Sequence, residues 1–311
     1  MSSVDVLLAS YNGEKYINEQ IESIISQTYK DIKLIIRDDG STDNTVKIIL
    51  DYKNRYPEII DFVQDDVKCK SSVSNFFELL KYAKSDYVMF SDQDDFWFPD
   101  KISEVLREIQ KLESEYGIDT PILVFSAYKA TDEFLKPLEQ NSAIKKIPDE
   151  LLSLNRLLVE NCGVSGCVLI VNKSLYSKIG VYSSEIMMHD WWFAMYASAC
   201  GIIRYFPKEL MYYRQHSDNS FGFVKLQGIN YRLKRFLNRS NIKDTLRKYF
   251  EQAVLFHQRY SSQMKDDSLK QLNDFINLHY EKNKFKRIFK LLKGRFIKQD
   301  WIRVLAQIIY I

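Results

Sequence analysis

The stretch Val88-Met-Phe-Ser-Asp-Gln-Asp-Asp-Phe-Trp-Phe-Pro-Asp-Lys101 begins as an apolar run and then reaches three carboxylates, those of Asp92, Asp94 and Asp95. Side chains that point into a sheet cannot share their environment with unpaired anions, so the run predicts a strand that ends there. Ligands of open α/β sheets bind at the carboxyl ends of strands, and the Asp-x-Asp spacing suits a hard cation such as Mg²⁺ or Mn²⁺. An acidic turn that caps a helix starting near Pro99 is the alternative interpretation.

Outward from this stretch, apolar runs alternate with helical patterns. Strands are predicted at 4–10, 32–37, 59–63, 86–91, 121–130, 168–171, 202–206 and 210–214. Helices are predicted at 14–27, 74–83, 101–116, 151–159 and 188–199, and residues 136–148 look like a loop. Strands that alternate with helices in this way imply an α/β fold, with a Rossmann-like, mostly parallel sheet flanked by helices.

A second predicted strand also ends in carboxylates, those of Asp38 and Asp39. Neighbouring parallel strands would bring both acidic clusters to one edge, beside the loop that follows Ser10. Such an edge suits a nucleotide with a metal-bound diphosphate, because one aspartate can accept hydrogen bonds from the base or ribose while the other cluster holds the cation. No GxGxxG or GxxxxGK[ST] loop occurs, which argues against a dinucleotide dehydrogenase or a P-loop NTPase. A capped turn is the simpler interpretation of Asp38 and Asp39.

Length and composition restrict the class of protein to which the chain can belong. With 311 residues and 46 % hydrophobic content, the chain can form one large domain, or a domain with an appendage. The four cysteines show no metal-like pairing, so we expect reduced thiols in a cytosolic protein. Neither a leader nor an apolar run of about 18 residues is visible, and no membrane-spanning segment is expected.

Charge is distributed unevenly along the chain. Residues 225–311 hold 20 Lys/Arg against 7 Asp/Glu, whereas residues 1–224 hold the other 24 and 34. We therefore predict two regions, a domain at 1–222 and a basic, helical C-terminal region at 223–311 that meets an anionic surface, either nucleic acid or membrane. The segment 284–298 there is predicted to be a helix with basic residues on one face and apolar residues on the other, which is typical of a helix in a membrane interface. The apolar face consists of Phe285, Ile288, Phe289, Leu292 and Phe296. A helix packed on the domain is the alternative.

Several segments together resemble a known family, in the right order and spacing over about residues 4–220. Three of them resemble the opening of family 2 glycosyltransferases, which have the GT-A fold: Ala9-Ser-Tyr-Asn-Gly13, Ser26-Gln-Thr-Tyr29 and Arg37-Asp-Asp-Gly-Ser-Thr-Asp-Asn-Thr45. Three more are similar to the bacterial rhamnosyltransferase branch of that family: Ser91–Lys101, His189-Asp-Trp-Trp192 and Tyr213-Arg-Gln-His216. The segment 65–75, at the edge of the expected donor pocket, departs from the family because it lacks the common Asn-x-Gly turn.

The resemblance implies a role for each matching residue. Donor nucleotide binding falls to Ser10, Tyr11, Glu14, Asp39 and Asp92, with Tyr11 and Asp39 lining the base pocket. Asp94 would be the direct ligand of Mg²⁺ or Mn²⁺, and His216 would complete the metal site or touch the diphosphate. A solvated histidine in a polar loop is the simpler interpretation of His216.

For the reaction itself, the resemblance implies that Asp190 is the general base that deprotonates the acceptor hydroxyl. Asp95, Trp191 and Trp192 would contact the acceptor or support the metal ligands. Each has a simpler alternative, because Asp190 can be a helix N-cap, the two tryptophans can be packing residues, and Asp95 can belong to the helix start.

The resemblance thus predicts an inverting glycosyltransferase that moves L-rhamnose from dTDP-β-L-rhamnose onto a lipid-linked oligosaccharide for a cell-wall or capsular polysaccharide. The enzyme would be cytoplasmic and peripheral at the inner face of the cell membrane, held by its C-terminal helices, because anionic lipids attract Lys and Arg. A family 2 transferase with a UDP-sugar donor is the close alternative. A sugar nucleotidyltransferase would show a glycine-rich, basic stretch near the first strand, which is absent. A nucleic-acid-binding module remains a third hypothesis, although we expect no nucleic acid partner.

Overall fold

The computed structural model describes residues 2–142, 147–216 and 239–311. Its strands are β1 (Val4–Ser10), β2 (Ile32–Asp38), β3 (Ile60–Val63), β4 (Tyr87–Ser91), β5 (Phe96–Trp97), β6 (Ile122–Thr131), β7 (Pro137–Ser142), β8 (Leu169–Asn172) and β9 (Ile202–Arg214). Its α-helices are α1 (Ile17–Ile25), α2 (Thr45–Arg55), α3 (Ser72–Leu80), α4 (Lys101–Tyr116), α5 (Leu154–Leu157), α6 (Lys173–Tyr176), α7 (His189–Cys200), α8 (Arg239–Tyr260), α9 (Asp266–Tyr280), α10 (Lys284–Lys293) and α11 (Trp301–Tyr310). The predicted boundary between residues 222 and 223 lies outside the described residues.

All of these strands belong to one sheet, in the order β3-β2-β1-β4-β8-β6-β9-β5, with β7 paired to β6. Strands β3, β2, β1 and β4 are parallel, and their side chains are largely buried because helices cover both faces. Strand β8 is antiparallel to β4 and to β6, and β6 is parallel to β9. The predicted α/β class is confirmed, with continuous parallel pairing over the first four strands.

Three predicted elements differ from the structure. The helix predicted at 151–159 is a 3₁₀ turn at Asp149–Leu152 followed by the short α5. Residues 202–214 form one strand rather than two, because the pairing of β6 with β9 steps from Ser126–Phe206 to Ala127–Glu209 and leaves Pro207 in a bulge. A bulge is one of the places where a sheet tolerates proline. The segment predicted as a loop at 136–148 contains β7, which pairs with the far end of β6.

Register brings the ends of three strands to one edge of the sheet. Ser10 at the end of β1 is opposite Asp38 at the end of β2, and Leu8 is opposite Ser91 at the end of β4. The acidic residues that follow β2 and β4 therefore lie on either side of the loop that follows β1, as the sequence predicted.

The C-terminal helices pack on the sheet domain through aromatic contacts. The ring of Trp191 lies 5.5 Å from that of Tyr249, and the ring of Trp192 lies 5.2 Å from that of Phe256, both partners being on α8. Phe296 is buried, in contrast to its predicted place on a lipid-facing surface, because α10 ends at Lys293 and the chain then turns back onto α9. Within the described ranges, no helix combines the length and the apolarity needed to cross a bilayer.

Candidate active site

A cavity of about 1300 Å³ opens at the carboxyl ends of β1, β2 and β4. Seven of the predicted site residues line it: Ser10, Tyr11, Asp39, Asp92, Asp94, Asp190 and His216. The structure thus gathers residues that are up to about 200 positions apart in the sequence. Four other predicted residues are not among its lining residues: Glu14, Asp95, Trp191 and Trp192.

The loop after β1 is fastened to the acidic segment after β4. The backbone N–H of Tyr11 donates to Oε1 of Gln93 at 2.9 Å, and Nε2 of Gln93 donates to the carbonyl of Tyr11 at 3.0 Å. Gly13 approaches so closely that a Cβ there would lie 2.3 Å from Oε1 of Gln93. Because Gln93 stands between Asp92 and Asp94, these contacts fix the loop that follows β1 relative to both carboxylates. The Tyr11 ring remains 57 % exposed at the cavity mouth.

The predicted donor-binding carboxylates have different partners. Asp39 accepts the backbone N–H groups of Cys69 at 2.7 Å and of Lys70 at 2.8 Å, and so joins the end of β2 to the opposite cavity wall. Asp38 accepts hydrogen bonds from its own turn and from Ser10, at 3.0 Å from Oγ. Glu14 accepts the backbone N–H of Asn44 at 2.9 Å and contributes to the start of α2 rather than to the cavity.

A buried arginine organises the cavity wall formed by residues 65–70, which belong to the segment 65–75 that departs from the family pattern. Arg37 is 1 % exposed and forms a bidentate pair with Asp65, with N–O distances of 3.0 and 2.7 Å. Its Nη1 also donates to Oδ1 of Asn75 at 2.8 Å, and Nη2 to the carbonyl of Val67. A charged residue within the apolar run of β2 was the sequence signal for this role.

We expect Arg37→Lys to destabilise the protein by about 3 kcal/mol, because an ammonium cannot reproduce the bidentate pair and leaves a buried site incompletely bonded. The wall at 65–70 should loosen with it and weaken nucleotide binding. Chemical denaturation and nucleotide titration would measure the two effects. Arg107→Lys, which changes an exposed pair on α4, is the matched control. Equal stability of the Arg37 and Arg107 variants would contradict this role.

The carboxylates after β4 are crowded together. Oδ2 of Asp94 lies 2.8 Å from Nε2 of His216, so the two predicted metal ligands are in direct contact. Burial and the neighbouring charges of Asp94 and Asp190 raise the pKa of Asp92 to about 7. Asp95 is buried and accepts the backbone N–H of Arg214 at 3.2 Å, and burial together with the Asp94 charge raises its pKa well above the usual range. Among the described residues its Oδ2 has no hydrogen-bond partner.

This donor set fits a divalent cation. Repulsion among the three carboxylates is the kind of strain that a bound cation relieves, and Mg²⁺ and Mn²⁺ favour oxygen ligands. Ligand atoms of Asp92, Asp95 and Cys167 also lie within 4.8 Å of one another. Burial raises the pKa of the Cys167 thiol well above its usual value, which disfavours the thiolate that a metal would need. The carboxylates, with His216, are therefore the better ligands for a hard cation.

A buried lysine that sequence reasoning missed lies beneath these carboxylates. Nζ of Lys101 donates to the carbonyl of Cys167 at 2.6 Å and lies 3.7 Å from the centre of the Trp97 ring. Burial lowers the pKa of its ammonium to about 7, while the nearby Asp95 and Asp92 favour the charged form. Its position at the start of α4, three residues after the aromatic run that ends at Phe98, was the only signal in the sequence.

Asp190 occupies the first turn of α7, inside the cavity. The N-cap position of this helix belongs to Met188, so the alternative that Asp190 caps the helix is wrong. Oδ2 of Asp190 accepts the backbone N–H of Gly166 at 3.0 Å, and Oδ1 accepts that of Trp191 at 2.6 Å. Burial raises the pKa of Asp190 to about 7, although these N–H groups act in the opposite direction. A carboxylate with that pKa is suited to general base catalysis at neutral pH.

The surroundings of Asp190 depend on close packing. A Cβ on Gly166 would lie 2.4 Å from Nε2 of His189. Position 166, whose backbone N–H binds Asp190, therefore has space for glycine only. The His189 ring is buried against Phe76, 4.2 Å away between centroids. Trp191 and Trp192 point into the protein and pack on α8, which agrees with the simpler interpretation of these residues.

Comparison with known families identifies the class of protein to which this fold and cavity belong. The model of Glycosyl transferase family 2 matches residues 5–178, more than half of the chain. The chain therefore belongs to glycosyltransferase family 2, and the resemblance seen in the sequence is confirmed.

Individual relatives refine the comparison. The chain is 31 % identical over 231 residues to dTDP-rhamnosyl transferase RfbG of Shigella flexneri, an alignment that covers 69 % of this chain and 73 % of that protein. It is 34 % identical over 125 residues to the putative glycosyltransferase EpsE of Bacillus subtilis, covering 40 % of this chain and 45 % of EpsE. The sequence relatives thus agree on the transfer of a sugar.

Solved structures confirm the GT-A fold. Residues 1–349 of S. aureus TarS in complex with UDP-GlcNAc align with a TM-score of 0.53 and 16 % identity, over 98 % of this chain and 90 % of that one. The mannosyltransferase PcManGT of Pyrobaculum calidifontis, in complex with GDP-Man and Mn²⁺, also has a TM-score of 0.53, with 14 % identity over 99 % and 85 % of the two chains. At these identities the likeness extends to the fold alone.

Proposed function

We propose that this protein is an inverting rhamnosyltransferase that moves L-rhamnose from dTDP-β-L-rhamnose to a lipid-linked oligosaccharide acceptor. The observation that carries the proposal is the placement of Asp190 in the same cavity as Asp92, Asp94 and Asp39. Single-displacement sugar transfer needs a base, a metal site and a surface that binds the nucleotide, and these residues could supply all three. The choice of donor is supported by the similarity to RfbG.

In this mechanism, the nucleotide lies between Tyr11 and Asp39, where Lys68 and Lys70 also line the cavity and favour an anionic diphosphate. Asp190 takes the proton of the acceptor hydroxyl while the oxygen of that hydroxyl bonds to the anomeric carbon. The bond from that carbon to the diphosphate oxygen breaks on the opposite face, and the nucleoside diphosphate leaves with the electron pair. One displacement of this kind inverts the α/β configuration, so a β-linked donor gives an α-linked product.

The candidate metal ligands are Asp94, Asp92 and His216. A bound Mg²⁺ or Mn²⁺ would neutralise negative charge that develops on the leaving diphosphate. The chain itself contributes the orientation of these ligands, since Gln93 ties them to the nucleotide loop and Arg214 donates Nε to the carbonyl of Asp94 at 2.7 Å.

A donor screen tests this proposal. Purified protein with Mn²⁺ should hydrolyse or transfer from dTDP-rhamnose in preference to UDP-sugars, and a lipid-linked acceptor should accelerate release of dTDP. A preference for a UDP-sugar would redirect the proposal to another family 2 donor. If the protein releases no nucleotide from any sugar nucleotide and binds DNA in a steeply salt-dependent way, the transferase proposal fails.

The C-terminal helices support a peripheral membrane location on the cytoplasmic side of the cell membrane. Two exposed apolar stripes lie on adjacent helices, Phe285, Phe289 and Leu292 on α10, and Trp301, Leu305 and Ile309 on α11. Nζ of Lys284 donates to the carbonyl of Ile309 at 2.9 Å and joins the two stripes. Basic side chains beside them suit an anionic lipid surface, and aromatic residues suit its interface.

We expect the double variant Phe285→Ser, Phe289→Ser to lose binding to vesicles that contain phosphatidylglycerol. The two rings are 84 % and 65 % exposed, so their removal leaves the fold intact. Loss of their burial in lipid corresponds to about 3 kcal/mol, or about a hundred-fold in affinity. Vesicle co-sedimentation would measure the change. Phe134→Ser, which removes a ring 71 % exposed in the turn between β6 and β7, is the control. If the double variant bound vesicles as well as the wild type does, the proposed membrane-binding role of these helices would be wrong.

A further inference from the structure

A second cavity of about 550 Å³ adjoins the active-site cavity. Ser71, just before α3, lines both cavities, and Met187 in the second is followed directly by Met188 in the first. A volume of this size falls within the range of about 300–1,000 Å³ that is typical of sites for small ligands. The two cavities form neighbouring compartments on the side of the active site where Asp190 lies.

The boundary between the compartments is held in place by α8. The backbone N–H of Met187 donates to Oε1 of Gln252, a fully buried side chain of α8, at 2.9 Å. Asp190 follows three residues after Met187, in the first turn of α7. The position of the catalytic carboxylate and the position of the second cavity are therefore fixed by the same short segment.

The side chains that line the second cavity suit a sugar ring. Tyr182 is 38 % exposed and rests on Phe77 of α3, with 5.8 Å between the ring centroids. Aromatic rings of this kind offer a flat apolar surface with a polar edge, which matches the apolar face of a pyranose. Glu185, Lys248 and Glu251 also line the cavity and supply acceptors and a donor for hydroxyl groups.

Two of these charged groups already pair along α8. Glu251 contacts Arg247 at 3.0 Å, and Lys248 contacts Asp244 at 3.4 Å. The four side chains are 42 to 58 % exposed, and exposed pairs contribute at most about 1 kcal/mol. They can therefore turn toward a ligand at little cost.

We propose that the second cavity binds the acceptor sugar that precedes the one carrying the reacting hydroxyl, with Tyr182 as its stacking surface. The acceptor is then an oligosaccharide, and its chain leaves the active site past Met188 and Ser71. This inference rests on the proposed function, because Asp190 defines where the reacting hydroxyl lies.

Binding to a glycan array tests the inference without knowledge of the natural acceptor. The array carries mono-, di- and trisaccharides of L-rhamnose, N-acetylglucosamine and galactose, and the protein is applied with dTDP. We expect the wild type to bind at least one di- or trisaccharide about ten-fold more tightly than the matching monosaccharide. Tyr182→Ala should abolish that difference, whereas Tyr182→Phe should keep it.

Two controls separate this result from other effects. Tyr116→Ala removes a similarly exposed tyrosine at the end of α4 and should behave as the wild type. Glu251→Gln changes the cavity without removing a ring and should weaken disaccharide binding. If Tyr182→Ala and Glu251→Gln bind disaccharides as the wild type does, or if the wild type binds no oligosaccharide better than a monosaccharide, the inference is overturned. Donor hydrolysis without acceptor is measured in parallel, and its absence in the wild type counts against the proposed function instead.

Discussion

Asp94→Asn should reduce metal-dependent turnover about a thousand-fold and leave the fold unchanged. The carboxylate is the predicted ligand of the cation. An amide oxygen is neutral and binds the cation more weakly, so the negative charge on the leaving diphosphate would be neutralised less well. Asp94 is half-buried at the cavity surface and contacts His216, so the isosteric change creates no void. Release of nucleoside diphosphate in saturating Mn²⁺ measures turnover, and calorimetric titration measures Mn²⁺ binding.

Asp119→Asn is the control for this experiment, because Asp119 is an exposed carboxylate in the turn before β6. Its activity should equal that of the wild type. Normal Mn²⁺ binding by the Asp94 variant would remove Asp94 from the metal site. The pair Asp92 and Asp95 would then be the next candidates, since they lie close to each other.

Asp190→Asn should lower the rate of transfer to acceptor about a thousand-fold while donor affinity changes little. An amide cannot take the proton of the acceptor hydroxyl, and general base catalysis is worth about 10²–10⁴-fold. The side chain keeps its size, and its oxygen can still accept one of the N–H groups of Gly166 and Trp191. Single-turnover transfer and donor titration measure the two quantities separately. A large loss of donor affinity with normal transfer at saturation would place Asp190 in the donor pocket.

The pH dependence of transfer gives an independent check on the same residue. Only the deprotonated form of Asp190 can act as a base, and burial raises its pKa to about 7. The transfer rate of the wild type should therefore rise with pH up to about 7 and then level off. In Asp190→Asn this rise should be lost from the residual rate, and any rise that remains belongs to Asp92, whose pKa burial also raises to about 7. A wild-type profile that is flat between pH 5 and 8 would argue against the assignment.

Much of the site could be predicted because strand ends and acidic clusters follow simple rules. Apolar runs that stop at Asp38 and Asp92 define parallel strands, and parallel strands place their ends on one edge of the sheet. The direction of β8 could not be predicted, since a short apolar strand has the same residue pattern whether it pairs in parallel or antiparallel fashion. Residues 202–206 and 210–214 were predicted as two strands, and only the pairing with β6 shows that they are one strand with Pro207 in a bulge.

The roles of single side chains were harder to predict, because a motif names residue types without their partners. Asp38 accepts backbone N–H groups of its own turn, and Glu14 accepts that of Asn44 at the start of α2. A spacing argument cannot distinguish such contacts from ligand binding. Trp191 and Trp192 are covered by α8, a helix that lies in the C-terminal region predicted to be separate from the domain. Lys101 lies beneath the carboxylates through contacts with Cys167 and Trp97 that no local pattern reveals.

Under the proposed function, the two hydrogen bonds between Gln93 and the backbone of Tyr11 limit how the donor preference can be redesigned. Replacement of residues 10–13 alone, to accept a different base, would disturb the amide that spaces Asp92 from Asp94 and so would alter cation affinity. A successful graft would have to carry residues 10–13 and 92–94 together as one unit. Natural diversification of donors should follow the same rule, with paired rather than independent changes in these two segments.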